Sequence, residues 1–152
     1  MLIRTHLAIT LFLVLLLIEY VNSPIWFLAI AMIATYMPDI DSKNSRIGHH
    51  LFFRPIQWLS RHRGMIHSFS FLILVTFFIA LVLPSVALGF FVGYGSHLFA
   101  DSFTIEGIRP FYPSKKRSSG NIITGNLSET NVLILFLIAD IILFTIKSSI
   151  IF

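Results

Sequence analysis

The sequence contains no cysteine. That excludes disulfides, thiolate metal sites and cysteine nucleophiles, and it leaves the redox compartment open. Charge is nearly as scarce: 12% of the 152 residues are Asp, Glu, Lys or Arg, against 56% hydrophobic. Soluble domains carry about 25% charged residues, so an ordinary water-soluble domain, a disordered chain and a coiled coil are all set aside. Neither a G-x-S-x-G nor a Walker sequence occurs, which argues against a serine hydrolase and a P-loop ATPase. Period-2 alternation is also missing, so the Leu, Ile, Val and Phe runs predict helices rather than a barrel. What remains is an all-α integral membrane protein, one membrane-embedded domain over residues 1–152.

Five apolar stretches carry that reading, at about residues 7–20, 24–37, 66–83, 86–100 and 132–146. Val21-Asn22-Ser23 separates the first two and Pro84-Ser85 the next two. Breaks this tight predict two helical hairpins followed by a C-terminal helix, because a membrane segment must satisfy its own backbone hydrogen bonds. The polar segments are 38–65 and 101–131. The first two stretches have about 14 residues each, or about 21 Å of helix, short of a hydrocarbon core about 30 Å thick. They therefore extend into the interface, thin the bilayer or form a re-entrant hairpin. Arg4 before an apolar run also fits a signal peptide, but Pro24 follows the one small-residue cleavage candidate.

The hairpin plan sorts the cations. Arg4, Lys43, Arg46, Arg54, Arg61, Arg63, Arg109, Lys115, Lys116 and Arg117 fall on one side of the membrane, ten of the eleven basic residues, with Lys147 alone opposite. The positive-inside rule makes that side cytoplasmic. A collar that binds lipid headgroups would use the same cations. The expectation is thus a multi-pass cell-membrane protein whose polar loops are cytoplasmic.

The same plan gathers ionisable residues on that face. His6 opens the first helix, Asp39 and Asp41 follow the second, His62 and His67 bracket the start of the third, and His97 and Asp101 close the fourth. His97 and Asp101 are i,i+4 neighbours on one helix face, and Gly89 and Gly93 continue their row, where small residues allow helices to approach closely. Imidazoles with carboxylates and no thiolate suit divalent metal ions, zinc first, with manganese, iron or cobalt as alternatives. Read as helix caps and interfacial histidines instead, these seven groups would require seven coincidences of placement. The candidate metal ligands are therefore His6, Asp39, Asp41, His62, His67, His97 and Asp101, and Asp39, Asp41, His97 and Asp101 are the candidates for chemistry. His49 and His50 lie in a basic segment, residues 46–61, whose apolar residues fit an amphipathic interfacial helix, and they stay outside this set. Asp140 falls near the middle of the last helix, and the expectation there is a protonated carboxyl hydrogen-bonded to a neighbouring helix. The sixteen Phe are read as packing and lipid-facing residues.

Three motifs in this order resemble a known family. They are Pro38-Asp39-Ile40-Asp41, His62-Arg63-Gly64-Met65-Ile66-His67-Ser68 and the run GYGSHLFADSFT at residues 93–104. Together with His6 and the stretch 107–113, they are similar to the YdjM family of predicted membrane-bound metal-dependent hydrolases. The resemblance spans about residues 1–113, with Ile66 standing where that family usually has threonine. It implies a membrane-embedded helical hydrolase with these His and Asp residues as metal ligands. The His97-x-x-x-Asp101 spacing is similar, more distantly, to that of zinc-dependent phospholipase C enzymes.

Two functions follow as expectations. In the first, a metal-bound hydroxide attacks a phosphoester or ester bond, with membrane lipid as partner and a phosphorylated lipid as substrate at the cytoplasmic face. Arg63 and Arg109 would bind its phosphate, supported by Lys115, Lys116 and Arg117, while Ser68, Ser96 and Thr104 would hydrogen-bond around the site. In the second, the protein binds or transports a metal ion without hydrolysis. A carrier needs polar residues along a path through the membrane, and Asp140 alone qualifies. The basic loops lack the aromatic–basic interleaving of a nucleic-acid surface, so no nucleic-acid partner is expected.

Overall fold

The computed structural model describes residues 1–42, 49–50, 54, 57 and 64–151. Among these, five α-helices form and no strand: α1 (Ile3–Leu17), α2 (Pro24–Thr35), α3 (Phe69–Val82), α4 (Pro84–Ser102) and α5 (Leu127–Ile151). Tight 3-10 turns follow α1 at Ile18–Tyr20 and α2 at Met37–Asp41. Proline opens both α2 and α4, where its fixed φ suits the first turn and its missing N–H costs nothing. Ser68 caps α3 by accepting from Phe71 N–H at 3.2 Å, as hydroxyl residues do at helix starts.

Two hairpins and a C-terminal helix are the architecture expected from the apolar runs, but the helix ends lie further out. α1 begins at Ile3, α4 runs on to Ser102 and α5 begins at Leu127. His6, His97 and Asp101 therefore sit inside helices, because a polar residue interrupts an apolar run without breaking the helix. Side-chain pairs give the directions. Thr5 meets Glu129, Phe12 meets Phe136 and Glu19 meets Lys147, so α1 and α5 run parallel. Thr10 meets Thr35 and Ser96, and Phe27 and Ala31 of α2 pack with Val14, so α2 and α4 run the opposite way.

The closest contact joins α2 to α4. A Cβ on Gly93 would lie 2.0 Å from the carbonyl oxygen of Ala31, so only glycine lets these backbones meet. Gly89, one turn earlier, faces the Ile30 side chain, with a built Cβ 3.0 Å from its Cγ2. Beside this seam the apolar core consists of Ala34, Ile66, Leu72, Phe90, Tyr94, Leu98 and Ile108. Ile73, Leu74, Phe77, Phe78 and Leu81 of α3 are exposed, as are Ile134, Leu135, Ile138, Ile141 and Phe144 of α5. Apolar faces this large suit lipid rather than water. Two helices, Ile3–Tyr20 and Leu127–Ser148, are long and apolar enough to cross a membrane.

The connection from α4 to α5 is folded back across one end of the bundle. Isolated bridges pair Thr104 with Ile122 and Ile108 with Ser118. Gly107 takes φ +54, and a Cβ there would lie 2.1 Å from Ser118 O, so this turn also requires glycine. The Pro110 carbonyl accepts from Phe69 N–H at 2.9 Å, which ties the connection to the start of α3. Most of the segment 46–61 lies outside the described residues. His49 and His50 are exposed and tilt against each other, with ring centroids 4.0 Å apart. Asp140 departs from expectation: it is buried, yet neither carboxyl oxygen has a hydrogen-bond partner among the described residues.

Gly93→Val should destabilise the protein by about 1–3 kcal/mol, the usual cost of overpacking. Gly89→Ala should cost less, because a Cβ there would approach Ile30 at 3.0 Å and the Phe27 carbonyl oxygen at 3.2 Å, against 2.0 Å to the Ala31 carbonyl oxygen at Gly93. Unfolding of the two variants in detergent micelles measures both, and equal midpoints would count against the backbone contact.

Candidate metal centre

Five helix ends meet where α1, α3 and α5 start and α2 and α4 finish. Four of them, all but the start of α5, contribute a site residue for a local reason. His6 lies in the first two turns of α1. Pro38 sits in the 3-10 turn after α2, and that turn carries Asp39 and Asp41. His67 directly precedes the Ser68 cap of α3, and the Tyr94 hydroxyl secures this segment by donating to Ile66 O at 2.8 Å. His97 and Asp101 occupy one face of α4, one turn beyond the glycine seam.

Four ligand atoms converge. His67 Nε2 lies 3.9 Å from Asp39 Oδ1 and 4.0 Å from Asp101 Oδ2. His97 Nε2 lies 3.8 Å from Asp39 Oδ1 and 3.7 Å from Asp101 Oδ2. Ligands about 2.1 Å from a tetrahedral metal are about 3.4 Å apart, so each of these four His–Asp pairs lies within a few tenths of an ångström of a ligating separation. The other oxygen of Asp101 faces His6, with Oδ1 3.4 Å from Nε2, and the Met1 amine contacts the same oxygen. The His6 ring stacks on that of His97, centroids 3.8 Å apart and planes within 4°. Two groups, His6–His97–Asp101 and Asp39–His67–His97, could each hold a metal ion.

Orientation is controlled from behind. His97 Nδ1–H donates to the Thr35 carbonyl at 2.8 Å. A carbonyl only accepts, so Nδ1 carries the proton and Nε2 presents its lone pair. His67 Nδ1 pairs with Asp41 Oδ2 at 3.2 Å, the carboxylate–histidine arrangement that aims an imidazole at a metal. The donor set fits a metal on a further count. His6, His67 and His97 are fully buried, and among the described residues neither His6 nitrogen nor His97 Nε2 has a hydrogen-bond partner. An unsatisfied buried polar atom costs about 1–3 kcal/mol, and coordination removes that cost.

Access is from one side. Asp101 is almost wholly enclosed, whereas the Asp39 side chain keeps 24% of its surface exposed. Burial raises the Asp39 carboxyl above its ordinary range, opposed by the nearby His67 and His6. A divalent cation at Oδ1 would favour its ionised form.

Sequence reasoning and structure differ in detail. Asp41, expected among the ligands, pairs through Oδ2 with His67 Nδ1 and lies outside the two groups that could each hold an ion. Ser68 and Thr104, expected at a substrate, have their hydroxyls committed to backbone. Ser68 Oγ donates to Met65 O at 2.6 Å, and Thr104 Oγ1 donates to Asp101 O at 2.7 Å. Arg109 is exposed on the folded-back connection, and His62 and Arg63 lie outside the described residues. Four residues of the site's surroundings had no local signal. Thr35 holds His97 through its carbonyl. Thr10 meets Thr35 at 2.8 Å and Ser96 at 2.7 Å in a buried hydroxyl cluster beneath the histidines. Glu129 and Thr5 join α5 to α1 beside His6.

Known proteins add a lineage. The Bacillus subtilis (strain 168) "Uncharacterized protein YvsG" is 28% identical over 120 residues, 75% of each chain. The Escherichia coli (strain K12) "Inner membrane protein YdjM" is 34% identical over 96 residues, 57% of this chain and 49% of that protein. The protein of that name from Shigella flexneri matches to the same extent. The chain thus aligns with about half the length of these two inner membrane proteins. No solved structure is significantly similar. The model of the YdjM inner membrane protein family matches residues 1–151, and the chain belongs to that family.

Proposed function

We propose that the protein is a membrane-embedded, metal-dependent hydrolase acting on a phosphorylated lipid at the cytoplasmic face. The observation that carries this reading is the convergence of His67 Nε2, His97 Nε2, Asp39 Oδ1 and Asp101 Oδ2. Both histidines are held in the ligating orientation from behind. His67, His97, Asp39 and Asp101 would hold the metal, zinc first by ligand type, and His6 stands beside Asp101. When bound, such an ion acidifies water and polarises the oxygen of the bond to be broken.

The chain's own groups supply the rest. Asp41 and the Thr35 carbonyl engage Nδ1 of the two imidazoles and keep Nε2 of each aimed inward. Ile66 and Leu98, buried in the core beside the site, exclude water from its inner wall. Asp39, the accessible carboxylate, lies where a substrate enters and can hold a water by hydrogen bonding. Arg63 and Arg109, with Lys115, Lys116 and Arg117 nearby in sequence, suit an anionic phosphate, which a guanidinium grips through two parallel hydrogen bonds. The alternative, metal carriage without hydrolysis, draws support from Asp140 alone.

Protein purified without chelator should carry tightly bound transition metal in stoichiometric amount, and the His97→Ala, Asp101→Ala double variant should lose it. Elemental analysis checks this, and metal-free protein that takes none up on reconstitution overturns the reading.

Metal-loaded protein in mixed-lipid vesicles should consume a phosphorylated lipid, with products read by mass spectrometry. Arg63→Ala and Arg109→Ala should each raise KM by about tenfold or more, as loss of a charged hydrogen bond does, and change kcat little. Consumption of a soluble phosphoester or a peptide, with lipids untouched, would retain the metal and refute the lipid. Metal flux across vesicles abolished by Asp140→Asn would instead favour carriage.

Topology supplies a separate check. The bundle places the site loops opposite the α1–α2 turn, and the basic residues assign the site side to the cytoplasm. Single cysteines at Lys115→Cys and Asn22→Cys, in a chain with no other cysteine, should label from opposite sides, Lys115→Cys from the cytoplasm. Labelling of both from one side overturns the multi-pass reading.

A further inference from the structure

Glu129 is a buried carboxylate at the site end of the bundle that the mechanism leaves unused. It is 2% exposed and fully engaged. Its Oε1 accepts from Leu2 N–H at 2.5 Å and from the Thr5 hydroxyl at 2.7 Å. Its Oε2 accepts from Gly125 N–H at 2.6 Å. Two of these three donors belong to the start of α1, although Glu129 itself belongs to α5.

α1 has no cap of its own, because Leu2 occupies the capping position with no side-chain acceptor. The first four N–H groups of a helix need partners from elsewhere, and a carboxylate suits the positive end of the helix dipole. Glu129 meets both needs from another helix. The residue after Thr5 is His6, whose ring lies against His97 and Asp101 and, among the described residues, has no hydrogen-bond partner. The rotation and height of α1's first turn therefore decide where that ring sits.

We propose that Glu129 is a positioning residue that caps α1 across the bundle and sets His6 against Asp101 in the metal centre. The inference rests on the metal reading above. It differs from a purely structural role in one respect: the effect of Glu129 on metal affinity must pass through His6.

A double-mutant cycle with Co²⁺ separates the two. Affinity and the visible spectrum of the bound ion are measured for the wild-type chain, Glu129→Gln, His6→Ala and the double variant, with thermal unfolding of the metal-free proteins alongside. Gln keeps the size of Glu but turns one acceptor into a donor facing a donor. Glu129→Gln should weaken Co²⁺ binding about tenfold, in the range for supporting partners of metal ligands, and alter its spectrum. In the His6→Ala background it should change affinity by no more than about twofold, the scatter of additive sites. Thr5→Val, which removes one donor, should give a smaller shift of the same kind. Equal losses in both backgrounds overturn the proposal and leave Glu129 a structural clamp. Failure of the wild-type chain to bind Co²⁺ overturns the metal reading and this inference together.

Discussion

The backbone contact between Ala31 and Gly93 governs the geometry of everything above it. Helices in a membrane gain little from hydrophobic burial against one another, since lipid is equally apolar, and close packing of small residues takes its place. Gly89, Gly93, His97 and Asp101 form one row on α4. The seam at Gly93 brings the next turn of α4 beside the end of α2, where the Thr35 carbonyl takes the His97 Nδ1 proton. The turn that follows α2 then carries Asp39 over His97. A wider seam would move Thr35 and Asp39 away together, and the centre would lose an orienting acceptor and a ligand at once.

A second constraint is the cost of polarity in an apolar interior, and the protein meets it differently at each level. Beneath the histidines, Thr10, Thr35 and Ser96 satisfy one another and the carbonyls of Ala31 and Gly93. This cluster locks α1, α2 and α4 in register without charge. One turn higher the pattern changes: among the described residues the His6 nitrogens and His97 Nε2 have no hydrogen-bond partner, and His6 and His97 face the carboxylates of Asp101 and Asp39. Satisfaction below and unsatisfied ligand atoms above are what distinguish a support from a site.

How far this was legible in the sequence depended on how local each signal was. The apolar runs and the short breaks at Asn22 and Pro84 are local, so the two hairpins and the final helix could be read directly. So could the shared face of His97 and Asp101, four residues apart. The apolar runs were shorter than the helices, most clearly at α5, whose first turn carries Glu129 and so reads as a polar segment when only hydrophobicity is followed. The role of Asp41 was not legible. Two aspartates separated by one residue look equivalent, and only the 3-10 turn sends one to the ligand cluster and the other behind His67. Glu129 was beyond reach for a different reason: its partners Leu2 and Thr5 are more than a hundred positions away, and no periodicity reports such a pairing.

Three carboxylates buried in helices, Asp101, Glu129 and Asp140, differ in what surrounds them among the described residues. Asp101 lies among histidines and Glu129 among hydrogen-bond donors, while Asp140 has neither. Eleven residues separate Glu129 from Asp140 on α5, about 16 Å of helix. Between them, Phe136 packs edge-on against Phe12 with ring centroids 5.4 Å apart. An ion moving along this interface would cross that distance with no ligand to exchange for its hydration, a cost that low-dielectric surroundings make prohibitive. The hydrolysis proposed above would require no such path, since a lipid's bond would come to the polar end from the headgroup region. The isolation of Asp140 therefore supports chemistry at the bundle's end over carriage through its middle.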